Sequence, residues 1–250
     1  MRIAPLMLAL ALGLAACGPS TPDQPEAPPI PPEYQAIEVP GPDGNPVTIP
    51  AVRPEYLIER NRRQRVAYNG PEKAGTIVVD PYARFLYHVL PNGEAMRFGI
   101  AVGRAGLAFQ GTGTIRRKEA WPSWTPTQNM IRREPELYGP VAGGLSGGLD
   151  NPLGARALYL YRGGRDTMYR IHGTMEPASI GKATSAGCIR LFNQDILDLY
   201  DEVPMGTTVK VRTREESRRY EGPLVETPDG YVVPPELLAE QQAAQAATSG

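Results

Sequence analysis

Two cysteines and two histidines are all that this chain of 250 residues contains, and Cys188 and His172 each sit beside glycine. Cys188 lies in "TSAGCIRL", a loop of small residues, whereas a structural cysteine belongs inside an apolar run. His172 ends "MYRIHG", sixteen residues earlier, and Gly173 follows it. A thiol beside an imidazole is a nucleophile beside its base, because the thiolate is the attacking form and imidazole can take its proton. Gly187 permits close backbone approach, and N–H groups around Cys188 suit a developing oxyanion. A loop of this length can bring the two side chains together. Spacing alone leaves open an inert cysteine near an unrelated histidine.

Other candidates are weaker. "GLSGG" matches the G-x-S-x-G nucleophile elbow at Ser146, but "YGPVAG" before it and "LDNPLG" after it offer neither strand nor helix. His88 alternates with aromatics in "FLYHVL" and reads as a histidine on a sheet face. Trp121 and Trp124, in "WPSWTP", could be core or could wall a cleft. Zinc bound by Cys and His is not expected from one cysteine and two histidines in the folded part, and no cofactor motif occurs. A net charge of -1 argues against nucleic acid as a partner.

The elements that must position Cys188 and His172 are mostly strands. "GTIVVD" is a β-branched strand, and "ARFLYHVLPNGEAMRFGIAVG" is two strands turning at Pro91-Asn92-Gly93. "TGTIRRKEAW" is a further strand, and "ARALYLYRGGRDTMYRIHG" a second hairpin around Gly163-Gly164. "NQDILDLYDEV" reads as a helix capped by Asn193, with Asp195 in the first turn and an apolar face of Ile196, Leu197, Leu199, Tyr200 and Val203. Pro204 stops it, and "GTTVKVR" is a closing strand. Residues 55–68 read as a short amphipathic helix within a lead-in over 55–74. Residues 213–250 read as a polar, disordered or loosely helical tail. The whole is a mostly β domain of about one core.

The N-terminus reads as an address. One basic residue, Arg2, precedes an apolar run over 3–16 that is too short to span a membrane and fits a secretory signal. The run ends in "LAAC", which resembles the bacterial lipobox and implies cleavage before Cys17 and lipidation of its thiol. The protein is then exported and lipid-anchored at the periplasmic face, and Gly18 rather than Asp favours the outer membrane over the inner. Residues 17–54 are expected to form a stiff tether, with twelve prolines between Gly18 and Pro54.

"IHGT" followed by "SAGCIRL" resembles the L,D-transpeptidase catalytic domain of the YkuD type, whose signature is H-G…S-[H or S]-G-C-I-R. "FGIAVGRAG", "KEAWPSWTPT" and "NPLGARALYL" agree with it, and the likeness extends from Gly75 to Arg212. It implies a β-sandwich-like domain of mixed sheets. It also implies acyl transfer on peptidoglycan stem peptides, with a stem peptide or an outer-membrane protein supplying the acceptor amine. In that role Cys188 attacks, His172 is the base, and a carbonyl near Gly173 orients the imidazole. Arg190 and Ser185 match motif positions that meet substrate or hold the loop, and Asn151 and Trp124 are expected to line the site. Ala186 stands where the family carries His or Ser. A hydrolase using the same pair and a non-catalytic wall-binding protein are the other readings.

Overall fold

The computed structural model describes residues 29–103, 109–184 and 188–248. Fifteen strands occur among them: β1 (Ile37–Pro40), β2 (Pro46–Ile49), β3 (Gln64–Ala67), β4 (Ile77–Asp80), β5 (Phe85–Leu90), β6 (Glu94–Gly99), β7 (Ala101–Gly103), β8 (Gly111–Ala120), β9 (Arg156–Arg162), β10 (Arg165–His172), β11 (Ala183–Thr184), β12 (Ile189–Arg190), β13 (Thr208–Val211), β14 (Val225–Glu226) and β15 (Val232–Val233). The helices are α1 (Gln128–Arg133), α2 (Pro135–Tyr138), α3 (Asn193–Glu202), α4 (Arg214–Glu221) and α5 (Pro235–Thr248). None of them is long and apolar enough to cross a membrane.

Eleven strands form one mixed sheet in the order β11-β7-β12-β10-β9-β8-β13-β4-β5-β6-β3. Its parallel pairs are β11–β7, β12–β10 and β13–β4. Laid flat, the seven spacings from β12 to β6 would hold them roughly 34 Å apart. Yet Ile189 of β12 and Phe98 of β6 share one buried cluster with Ile77, Ile115, Leu158, Ile171, Ile196 and Leu199. The sheet therefore folds over on itself around a common core, which gives the sandwich-like character. A single residue, Ile100, carries the chain from β6 near one end of the order to β7 near the other. Gly99 makes that crossing possible, since a Cβ there would stand 2.7 Å from the Asn61 backbone.

The hairpins form where local sequence demands them. Asn92 and Gly93 adopt φ of 65° and 74° between β5 and β6, as an Asn-Gly turn requires. All four residues of β4 are buried, Ile77 and Val79 in the central cluster and Val78 in a second one with Tyr68 and Tyr87. A strand covered on both faces needs the apolar run of Ile77, Val78 and Val79, and the fourth residue, Asp80, is paired with Arg212.

Three expectations are corrected. Residues 29–54, read as tether, fold onto the domain. Tyr34 is fully buried with Val52, Leu57, Ala101, Ile180 and Phe192, and the β1–β2 hairpin seats Pro40 O on Trp121 Nε1 at 2.7 Å. The prolines there start short 3-10 turns at Pro32 and Pro54 instead of extending the chain. Residues 55–68 are not a helix. Asn61 donates from its side chain to Tyr56 O and Ile180 O, breaking the run into two 3-10 turns, and Gln64–Ala67 pairs with β6 as an edge strand. The tail is ordered through α4, whose Thr213 and Glu216 form a reciprocal capping box, and Arg212 is buried in an ion pair with Asp80 and Glu221. The β14–β15 hairpin and α5 follow it.

Replacing Tyr34 by Ala distinguishes a folded segment from a tether. Removing a fully buried aromatic that also accepts the Arg63 N–H is expected to cost about 3 kcal/mol in urea denaturation. A tether residue would leave the midpoint unmoved.

Candidate active site

The site is built on the parallel pairing of β10 with β12. Ile171 lies opposite Ile189 and His172 opposite Arg190, and the Leu191 N–H donates to His172 O at 2.9 Å. Side chains alternate along strands, so Ile171 and Ile189 enter the core while His172 and Arg190 share the other face. Cys188 immediately precedes β12, two residues before Arg190. Its carbonyl takes the Gly103 N–H at 3.2 Å, fixing the backbone beside β7.

His172 is almost fully buried, and its Nδ1 stands 2.6 Å from Gly173 O. A carbonyl can only accept, so Nδ1 carries the hydrogen and Nε2 keeps its lone pair. Burial, followed by the charge of Arg190, drives the imidazole pKa down to about 3, against the carbonyls of Gly173 and Leu153, which favour the cation. Gly173 cannot carry a side chain, because a Cβ would fall 2.1 Å from Asn193 Oδ1.

Cys188 is a free thiol, partly accessible. Burial pushes its pKa up, opposed by the Arg170 backbone N–H and the charges of Arg170 and Arg190. Its Sγ donates to Met168 O at 3.5 Å. At neutral pH the site therefore rests as neutral thiol and neutral imidazole, not as a preformed ion pair.

The remaining candidates divide. Arg190 is largely buried and pairs with Glu176 at 2.6 Å, so its charge lies over the site from the loop side. Trp124 pairs through its backbone with Leu145, and its ring meets Tyr138 at 6.1 Å. Burial raises the Tyr138 hydroxyl, with Glu134, Arg190 and Glu176 acting on it next, which puts this aromatic wall beside the Arg190 pair. Asn151 is corrected: buried, it donates to Leu145 O and Ser146 O and accepts from Leu153 N, so it staples its own loop instead of facing substrate. Ser185, Ala186 and Gly187 lie outside the described residues, as does Cys17. Ser146 is followed by no helix, and His88 faces Glu202 at 3.2 Å on the sheet. Among the described residues no group of His, Cys, Asp and Glu could hold a metal ion.

Asn193 is not the cap of α3. Phe192 is, without a side-chain bond, and Asn193 instead ties two loops by accepting from Ala155 N and donating to Thr174 O, each at 3.0 Å. That tie holds the His172–Gly173 turn. An Asn at a helix start reads as a cap in sequence, and only the tertiary contact reveals the tie.

Residues 74–211 match the YkuD family model, described as the L,D-transpeptidase catalytic domain. The probable L,D-transpeptidase ErfK/SrfK of Escherichia coli (strain K12) is 38% identical over 138 residues, covering 54% of this chain and 43% of that protein. A putative L,D-transpeptidase of Fuscovulum blasticum is 37% identical over 137 residues, 54% of this chain and 68% of that protein. A solved Brucella melitensis protein, described as a probable carnitine operon oxidoreductase, is 51% identical with a TM-score of 0.44, covering 61% of this chain and 95% of that one. The chain spans about half the length of the first curated relatives it matches, 43% and 49%. With the matched region covering more than half of its residues, the chain belongs to the YkuD family of L,D-transpeptidase catalytic domains.

Proposed function

We propose that the protein transfers an acyl group between peptidoglycan stem peptides through a thioester on Cys188. The observation that supports this reading is the β10–β12 register, which pairs His172 with Arg190, two residues beyond Cys188. Cys188 Sγ attacks the carbonyl joining the L-centre of diaminopimelate to D-alanine, and its proton passes to His172 Nε2. Both groups rest neutral, so proton transfer accompanies attack. The imidazolium that forms donates to the Gly173 carbonyl and returns its proton to the departing D-alanine amine. An acceptor amine then attacks the thioester and gives up a proton to the same imidazole, restoring the thiol.

Incubation of the protein with disaccharide-tetrapeptide tests this. Transfer yields released D-alanine and a cross-linked dimer. Tripeptide without dimer assigns a hydrolase, and unchanged substrate with retained wall binding assigns a tether. Export and anchoring through Cys17 belong to the same proposal, with the acceptor a stem peptide or an outer-membrane protein. Radiolabelled palmitate incorporated by the wild type and lost in Cys17→Ser supports the anchor, and equal labelling refutes it.

A further inference from the structure

The Cys188 sulphur touches a part of β10 to which the reaction above gives no role. Between Asp166 and Arg170 the pairing of β10 with β9 slips register, and Met168 takes a φ of 64°. A side-chain-bearing residue holds that conformation only where its surroundings impose it. The slip turns the Met168 carbonyl onto the thiol at 3.5 Å and leaves the Arg170 backbone N–H acting on the same sulphur.

A dense set of bonds imposes the bulge. The Arg170 guanidinium meets Asp166 through both nitrogens, at 2.7 and 2.9 Å. Asp166 Oδ1 also accepts the Met168 N–H at 2.8 Å, and Arg170 Nη1 reaches Tyr169 O at 3.0 Å. Thr167 Oγ1 donates to Leu160 O at 2.6 Å and accepts from Tyr169 N at 3.2 Å, tying the bulge to β9. The Tyr159 ring lies 4.3 Å from the Arg170 guanidinium and 4.4 Å from that of Arg117. Only arginine makes a two-pronged bond to a carboxylate of this kind.

We propose that Arg170 and Asp166 are positioning residues for Cys188. Their pair locks the bulge so that a carbonyl holds the thiol hydrogen at rest and an amide N–H meets the sulphur once that hydrogen has gone to the base. The idea rests on Cys188 being the nucleophile, so its test reads the sulphur itself and not turnover.

The groups that act on the sulphur are Arg170 and Asp166 from β10 and Arg190 from β12, while the sulphur acts on Tyr169 and Arg117 of β8 acts on Asp166. Arg170 and Arg190 favour the thiolate and Asp166 opposes it. Asp166→Asn therefore separates charge from position by sign. Loss of the acid's charge alone would speed alkylation of Cys188 and lower the midpoint of its pH profile. Loss of the lock slows it and raises the midpoint.

The measurement is iodoacetamide alkylation of the full chain against pH, with the Cys188 peptide followed by mass spectrometry and a melting curve for each variant. The lock predicts about a tenfold slower reaction at pH 7 in Asp166→Asn, a midpoint about one unit higher, and near-native behaviour in Asp166→Glu. Alkylation that is unchanged or faster in a chain that still melts cooperatively overturns the proposal. If Asp166→Asn loses its cooperative melt, Arg170→Lys takes its place. It keeps the charge and one prong, so the lock still predicts slowing, and a native rate refutes it. Should Cys188→Ala retain transfer, the proposed reaction fails and the alkylation profile still decides the lock.

Discussion

Cys188→Ala is expected to abolish the proposed transfer, with D-alanine release down at least ~10³-fold and no acyl adduct on the protein. The fold survives the change. Its thiol donates one long hydrogen bond, to Met168 O at 3.5 Å, the Arg170 backbone N–H acts on the sulphur, and its carbonyl bond to Gly103 is backbone and unaffected. A shift in stability under about 1 kcal/mol is expected. Cys188→Ser is expected to be equally inactive, because a hydroxyl ionises far above a thiol and is the poorer nucleophile. The check is a paired one, with adduct by intact mass and turnover on disaccharide-tetrapeptide. Turnover above about a tenth of wild type in a folded Cys188→Ala protein would remove the thiol from the chemistry.

That Cys188 and His172 stood out in sequence has a physical cause. Both are set off by glycine in the sequence, and at Gly173 the reason is visible in the packing against Asn193. The β5–β6 and β9–β10 hairpins and α3 were legible because each is specified by its own turn residues or apolar face. What stayed hidden depends on partners distant in the chain. Tyr34 is buried by Ile180 and Phe192, and a proline-rich stretch gives no periodicity to announce it. Residues 55–68 carry helix-forming charges, but Asn61 spends its amide on Ile180 O, 119 residues away. Asp166 and Arg170 are four apart, a helical spacing that has no meaning on a regular strand. A bulge makes them neighbours, and no residue in "RDTMYR" signals a bulge. The Thr213–Glu216 capping box was readable as T-x-x-E, and the charge around it concealed the helix.

His172→Gln is expected to lower transfer about 10²- to 10⁴-fold, and it also changes how stability depends on pH. The imidazole ordinarily titrates near 6.5 and is held near 3, chiefly by burial and then by Arg190. Between those values the unfolded chain binds a proton that the native chain refuses. Stability is therefore lost as pH falls through that window, and the group adds no slope above pH 6.5. Asp195 runs the other way. Fully buried beneath Tyr34, with Arg63 3.8 Å from one oxygen, it is raised by burial from 3.8 to about 7 despite that arginine. Its native form keeps a proton that the unfolded chain has released, so its stability is lost as pH rises from 3.8 to 7. From about pH 4 to 6.5 the two slopes, each about 1.4 kcal/mol per unit, oppose one another. Relative to wild type, His172→Gln then gains stability toward acid by about that slope, and Asp195→Asn loses it. The double variant tracks wild type across the window. Urea denaturation at pH 4.5, 5.5 and 6.5 measures all three differences. A His172→Gln curve parallel to wild type would mean that the native imidazole is protonated in this range. The neutral base on which the transfer step depends would then be absent below pH 6.5.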